Sequence, residues 1–268
     1  MNVIKRVAKR AFPALYASLS HRIGYPARYS RVAEAVVGKY GRKVIEGPFA
    51  GMIYGEKVAG SAYTPKILGT YELEIQPWIK QIIQDDYQTI IDLGCAEGYY
   101  AVGLALRCPR TTIYAYDGDP EAQVACRELA ALNGVEDRVK IGGYCEPETL
   151  KNLPLDHAML ICDVEGYEVE LLDPEFIPVL ATIDILAELH EPLVPGLTAK
   201  IISRFSPTHV ITLLDAAPRD RTKHPNVHFL SPSDQDLALT ESRPDGQQFA
   251  LLRVRDTGVL HTDNRGSE

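Results

Sequence analysis

The sequence has no C-x-x-C pair, no long apolar run and no excess of basic residues. Each absence removes a class of protein. Five cysteines, Cys95, Cys108, Cys126, Cys145 and Cys162, are scattered and odd in number. They exclude a disulfide frame or a zinc site and fit reduced, mostly buried thiols in a cytoplasmic protein. No stretch approaches the ~20 apolar residues of a membrane-crossing helix. A net charge of −8 argues against a nucleic-acid partner, which wants a basic surface. There is no internal repeat, no low-complexity block and no nucleophile elbow of the G-x-S-x-G kind.

What is present is enough for one enzyme-sized domain with an extension. The chain has 268 residues, 46% of them hydrophobic, ample for a sizeable core. The run Thr89-Ile90-Ile91-Asp92-Leu93 stops at Gly94-Cys95-Ala96-Glu97-Gly98, and an amphipathic helical pattern follows. That reads as strand, tight glycine turn and helix N-terminus. The glycines let backbone approach a ligand, and the free N–H groups of the helix start favour an anionic group. Such turns, at the carboxyl ends of parallel strands, are where open α/β sheets bind nucleotides.

The spacing is not the G-x-G-x-x-G of dinucleotide binding. Asp92-x-Gly94-x-x-x-Gly98 resembles the S-adenosylmethionine (SAM) turn of class I methyltransferases. A second strand, 112–116, ends in Asp117-Gly118-Asp119-Pro120. Asp117 lies about 20 residues past the glycines, where an acid accepts hydrogen bonds from ribose hydroxyls. Asp119 reads as a helix cap, with Pro120 in the first turn of a helix over 121–132. A third strand, 138–141, leads to Gly142-Gly143-Tyr144-Cys145, the expected adenine side of the pocket.

Strands at 158–162 and 183–191 end in acids. Asp163-Val164-Glu165-Gly166-Tyr167-Glu168 follows the first, and the second carries Glu188-Leu189-His190-Glu191. With the glycine turn and Asp117, this constellation resembles the FkbM-type family of SAM-dependent methyltransferases over roughly residues 66–254. The sequence departs from the family at Asp117-Gly118, where Glu-Pro is frequent, and at Tyr167, where a small residue is common. The resemblance implies a Rossmann-like, doubly wound α/β sheet of seven strands in the order 3-2-1-4-5-7-6, the seventh antiparallel. Further strands are expected at 208–214 and 248–254. It also implies methyl transfer from SAM to a hydroxyl of a small molecule such as a sugar or secondary metabolite.

An alcohol acceptor must lose a proton, so a base or a metal is needed. His190 is the best base by its ordinary pKa, with Asp163 and Glu165 beside it; these three are the expected catalytic residues. The bland alternatives are a structural His190 with Glu188 as its buried partner, and Glu165 bonded to the backbone of the neighbouring turn. Three carboxylates and a histidine could also bind a divalent ion. Their convergence cannot be read from sequence, so no metal is assigned. The expected cofactor contacts are Asp92, Gly94, Cys95, Ala96, Glu97, Gly98, Asp117, Gly118, Tyr144, Cys145 and Asp163, with Tyr71 and Glu72 closing over them. The other reading of Glu72 and Glu74 is the first turn of a helix capped by Thr70. There is no Asn/Asp-Pro-Pro-Tyr for nucleobase amines and no Pro-Cys nucleophile; Cys108-Pro109 has the reversed order. Two functional alternatives stay open: N-methylation of a peptide or amine, and a non-catalytic SAM-binding protein.

Residues 1–80 read as a helical extension and lid, 81–255 as the SAM-binding domain, and 256–268 as a disordered tail. Seven basic residues, Lys5, Arg6, Lys9, Arg10, Arg22, Arg28 and Arg31, precede the first acid, Glu34. A membrane-surface or targeting helix is the second reading of this stretch. The first is a helical cap with a solvated basic face, because Pro13 interrupts a small apolar stripe. Segments 47–55 and 61–65 read as a hairpin entry and a loop. The polar stretch between the last two strands holds Arg243 and His224; the first reading of both is exposure to solvent, the second contact with an acidic acceptor. The sequence does not give the oligomeric state or the acceptor.

Overall fold

A computed structural model describes residues 27–56, 62–241 and 243–255. The basic stretch up to residue 26, including Pro13, and the tail 256–268 lie outside the described residues, as does Ser61. Seven strands form one sheet: β1 (Thr89–Leu93), β2 (Thr112–Tyr116), β3 (Val139–Gly142), β4 (Ala158–Cys162), β5 (Asp184–Leu189), β6 (His209–Asp215) and β7 (Gln248–Val254). Their order is β3-β2-β1-β4-β5-β7-β6. β1 to β5 are parallel, and β7 runs antiparallel to both β5 and β6. This is the Rossmann-like, doubly wound sheet expected from the sequence.

The strands form where the sequence is most apolar. β1 and β4 are central and buried at all positions, so each reads as an unbroken apolar run. Alternate residues then feed two cores. Ile90, Ile113 and Met159 face one side, and Ile91, Leu160 and Cys162 face the other. Pairing of Leu93 with Tyr116 and Cys162, and of Cys162 with Ala187, brings the carboxyl ends of β2, β1, β4 and β5 to one edge. Every candidate site residue after a strand is delivered to that edge.

The described helices are α1 (Ala27–Tyr40), α2 (Tyr63–Leu68), α3 (Gln76–Gln84), α4 (Tyr99–Arg107), α5 (Pro120–Leu132), α6 (Pro147–Lys151), α7 (Glu168–Leu171), α8 (Leu197–Phe205) and α9 (Pro232–Leu239). None is long and apolar enough to cross a membrane among the described residues. Asp119 caps α5 as expected, accepting from the Glu121 N–H at 2.9 Å. Val36, Phe49, Ile67 and Ile79, from the segment before β1, share one core with Ile90 and Leu104. α1 is fastened to α9 by Arg28, which bonds Asp234 at 2.8 Å.

Several local expectations are corrected. Residues 63–65 open helix α2 instead of a loop. Thr70 caps nothing; among the described residues its buried hydroxyl has no partner, and the next helix starts at Gln76 behind Ile75. Residues 71–75 form turns instead, with Glu72 at φ +46°. Segment 47–55 does form the expected hairpin, with a turn over 48–51, a bridge between Lys43 and Ile53, and the Val44 N–H donating to the Met52 carbonyl at 2.9 Å. The polar stretch after β6 is locally structured, with short 3-10 turns at Arg221–Lys223 and Pro225–Val227 followed by α9.

Candidate functional site

The turn after β1 is held by backbone. The N–H groups of Gly94 and Cys95 both donate to the Tyr116 carbonyl, at 2.9 and 3.0 Å. Gly94 has φ +80° and Gly98 φ +93°, which glycine adopts without strain. Both also lie where no side chain fits. A Cβ on Gly94 would stand 1.7 Å from the Asp163 carbonyl oxygen, and one on Gly98 2.6 Å from Cys126 Sγ. The turn therefore rests directly on the backbone that starts the acidic segment after β4.

Asp117 ties the second strand to this turn. Its Oδ2 accepts from the Ala96 N–H at 2.9 Å, and its Oδ1 from the Asp119 N–H at 2.7 Å. Burial raises its pKa against these bonds. Gly118 lies beneath the Tyr144 ring, which is 46% exposed and leans toward Tyr167 at 5.5 Å between centroids. Cys145 is buried beside it, and burial pushes its thiol up to about 12. Cys95 is buried as well, its thiol pKa raised by Cys126 and by burial.

Two residues of the turn differ in what their side chains do. Asp92 is buried, and its Oδ2 has no hydrogen-bond partner among the described residues. Burial first, and the charge of Asp163 second, lift its pKa to about 7. Glu97 turns away from the crevice. Its buried carboxylate takes Lys66 at 2.5 Å and the Tyr54 hydroxyl at 2.5 Å, inside the segment that precedes the sheet. Burial raises the Glu97 pKa, but Lys66 outweighs it and the net direction is down. Only the backbone of Glu97 stays in the turn.

The acids after β4 and the histidine after β5 converge. His190 is buried, and its Nδ1 lies 2.7 Å from Oε1 of the wholly buried Glu168. Its Nε2 faces Asp163 Oδ1 at 3.6 Å and Glu165 Oε2 at 3.5 Å. Glu165, at φ +55°, is the most exposed of the group, with 53% of its side chain open. Burial pulls the His190 pKa down, but the Glu168 bond and the Asp163 charge outweigh it and hold it near 10. The ring is therefore protonated at neutral pH in this setting. The sequence argument that His190 is the base by its ordinary pKa is corrected by that environment. Its partner is Glu168, not Glu188.

Glu188 is bound instead by Arg243, which is no solvent residue. One side chain bridges Glu188 and Glu72 and also bonds Glu241 at 3.0 Å. Glu72 also accepts from the Tyr100 hydroxyl, and Tyr71 packs edge-on against Tyr99 at 5.3 Å. Arg219 extends the network to Glu74 and Glu241, both at 2.5 Å. Tyr71 and Glu72 are thus pinned to the edge that carries Glu188 and Asp163. Sequence reading missed Arg243, Arg219, Glu241 and the role of Glu168. No local pattern announces them, since Arg243 lies 55 positions from Glu188 and 171 from Glu72.

Asp163, Glu165 and His190 offer ligand atoms within 4.8 Å of one another, and so do Glu72, Asp163 and Glu188. A cavity of about 670 Å³ lies elsewhere, between α1, Ile53, Tyr54 and α5, away from these acids.

No protein-family model matches the sequence. It is 34% identical over 91 residues to the ribosomal protein L11 methyltransferase of Acinetobacter baumannii, a stretch covering 34% of this chain and 30% of the relative. The Vibrio cholerae protein of the same name is 37% identical over 54 residues, 20% of this chain and 18% of the relative. The chain thus matches less than a third of the length of these curated relatives. A solved structure from Klebsiella pneumoniae, provisionally named an O-methyltransferase, superposes with a TM-score of 0.50 at 14% identity, covering 93% of this chain and 99% of that one. The shared feature is the class I methyltransferase fold.

Proposed function

We propose that this chain is a SAM-dependent methyltransferase of the FkbM type that transfers a methyl group to a hydroxyl of a small molecule, a sugar or secondary metabolite. The observation that carries this reading is the convergence of Asp163, Glu165 and His190 at the strand edge, directly against the 94–98 turn. The residues fit the cofactor. The turn is a cradle that a Cβ would fill, Asp92 brings an orphaned buried carboxylate oxygen suited to a cation, and Asp117 stands ready for a diol. SAM, when bound, supplies an electrophilic methyl on a sulfonium. Gly118, Tyr144 and Cys145 would line the adenine side, and Tyr71 and Glu72 would be the inner face of a lid over Tyr63–Glu74.

The chain's own work is then to hold the acceptor in line and to take its proton. Alignment supplies much of the acceleration. With the cofactor bound, its methyl would pass to the acceptor oxygen, and a residue at this edge would take the hydroxyl proton. Glu165 is the best placed to receive it, because its carboxylate is the most open of the trio. His190, anchored by Glu168, orients Glu165 and Asp163 and balances their charge. The five free, buried cysteines fit a cytoplasmic setting.

The test is incubation with methyl-labelled SAM and fractionated extract, followed by identification of the labelled product. Label on an oxygen of a small molecule supports the reading. Label on nitrogen of a peptide or amine replaces it by N-methylation. SAM binding without any labelled product supports a non-catalytic role, and NAD binding without SAM binding overturns the reading entirely.

A further inference from the structure

We propose that Gln247 is a specificity-determining residue of the acceptor site, whose side-chain amide binds the acceptor through two adjacent hydroxyls. The acceptor is then an uncharged molecule carrying a vicinal diol. This rests on the methyltransferase reading above.

Gln247 is 2% exposed, and neither its Oε1 nor its Nε2 has a hydrogen-bond partner among the described residues. Native interiors rarely leave both ends of an amide unpaired. The next residue shows the ordinary case. Gln248 donates through Nε2 to Asp215 at 2.7 Å and accepts the Thr198 hydroxyl through Oε1 at 3.5 Å. The backbone of Gln247 is fixed at both of its polar groups. Its N–H donates to the Pro244 carbonyl at 3.4 Å, and its carbonyl accepts the Ala216 N–H at 2.9 Å. The residue is thus held in place while its amide is left unused by the protein.

Its place is the edge that carries the acids. β5 and β7 pair with Leu189 opposite Gln248, so the next step of the register sets Gln247 against His190. Residues opposed in this way share a face and hold their Cβ atoms about 4.5–5.5 Å apart. Asp163 after β4, His190 after β5 and Gln247 before β7 therefore stand in a row along the edge. Phe249, two positions on and on the same face, opposes Glu188 and lies 5.1 Å from the Arg243 guanidinium. The neighbours on this face are already engaged. Arg243 holds Glu72, Glu188 and Glu241, and Glu168 holds His190.

The chemistry of an amide selects what it binds, because Oε1 accepts and Nε2 donates. A carboxylate or phosphate would use Nε2 alone, and the crowded acids Glu72, Asp163, Glu165 and Glu188 would repel it. An ammonium would use Oε1 alone. Two adjacent hydroxyls use both ends, one donating to Oε1 and the other accepting from Nε2. An acceptor that lacks them leaves the amide unpaired, which is how a polar site rejects an analogue.

Two measurements on the full chain test this. In the first, an extract fraction that takes label from methyl-labelled SAM is treated with periodate, which cleaves vicinal diols, and the reagent is removed before the assay. We expect the labelling to be lost. Labelling that survives, as an amide or a single alcohol would allow, overturns the diol and leaves the methyltransferase standing. Absence of label in every untreated fraction removes the methyltransferase reading and this proposal with it. The second is Gln247→Met, which keeps the length of the side chain and removes both polar atoms. Thermal unfolding should show it at least as stable as the parent, because no bond within the protein is lost. Half-saturation with the active fraction should need roughly 10-fold more of it or beyond, at a similar limiting rate and with unchanged affinity for S-adenosylhomocysteine. A less stable variant would mean that the amide serves the fold. Unchanged half-saturation would mean that it does not touch the acceptor. Either result overturns the proposal.

Discussion

Oε1 of Glu168 stands 2.7 Å from Nδ1 of His190, and the carboxylate that makes this bond is wholly buried. The same oxygen accepts the Val164 N–H at 3.2 Å. One carboxylate therefore fixes the ring after β5 and the backbone that follows β4. The relation explains why the acids and the histidine meet at a common point although two different strands deliver them.

Glu168→Gln should keep an acceptor for Nδ1 and lose the charge. Methyl transfer should fall about 10–100-fold, the range for partners that orient a functional histidine. SAM affinity should change little, because Glu168 lies behind the ring and not on the 94–98 turn. Steady-state rates and calorimetry on the same variant check both statements. A loss confined to SAM affinity would instead assign Glu168 to the cofactor pocket.

Arg243 serves as the buried counter-cation of Glu72, Glu188 and Glu241. Arg243→Met leaves three carboxylates without it, and breaking a buried pair from one side costs about 3–5 kcal/mol. Arg243→Lys should fall between the parent and Met, since an ammonium cannot reproduce the planar fork. Urea unfolding at neutral pH measures the order. Equal stability of all three proteins would mean that the ion pairs of Arg243 with Glu72, Glu188 and Glu241 contribute nothing to the fold.

These two relationships also mark how far the sequence could be read. The strands were legible because β1 and β4 are buried on both faces and show as unbroken apolar runs between turn residues. Asp163, Glu165 and His190 were legible as a group because strand ends in a parallel sheet share one edge. The 62–75 segment was not, because its course depends on a positive φ at Glu72 and on ion pairs to Arg219 and Arg243 far along the chain. Glu97 shows the same limit at one residue. Its position in the turn is local, whereas the direction of its side chain is set by Lys66 and Tyr54.

Asp117 carries the ribose assignment. Asp117→Ala should weaken SAM and S-adenosylhomocysteine alike by about 1–3 kcal/mol, the scale for losing hydrogen bonds to a charged group. Asp117→Asn should lose less, since one oxygen can still accept the Ala96 N–H that shapes the turn. Calorimetry on both variants is the check. Unchanged affinity in the alanine variant would remove Asp117 from the site.

Asp92 carries a proposed trade of fold stability against cofactor binding. Its pKa is about 7 in the fold against 3.8 for the ordinary side chain, raised by burial and then by Asp163. A raised carboxyl binds its proton more tightly folded than unfolded. Its contribution to stability is therefore fully present below pH 3.8 and is lost as pH rises through 7. Asp92→Asn removes that loss. The variant should gain about 1–3 kcal/mol at pH 8, the scale for relieving an unsatisfied buried charge. The gain should shrink toward pH 4, and SAM should bind more weakly. Unfolding curves at several pH values, with calorimetry at pH 8, test the exchange. A variant less stable than the parent at pH 8 would mean that Oδ2 has a partner in solution.

Glu165 is the remaining test of the chemistry. Its backbone sits at φ +55° and turns the carboxylate to the open side of the crevice, 3.5 Å from Nε2 of His190. Glu165→Gln keeps the shape and removes the proton acceptor. If the acceptor is an alcohol, turnover should fall by a factor on the order of 10²–10⁴ while SAM affinity stays close to that of the parent. Asp163 is less open, and its carbonyl already supports the glycine turn, so Asp163→Asn should disturb cofactor binding as well as rate. Comparing the two variants separates proton removal from positioning. Full turnover in Glu165→Gln would rule out its carboxylate as the base. An amine acceptor, which needs less help in losing its proton, would then be the better reading of the same site.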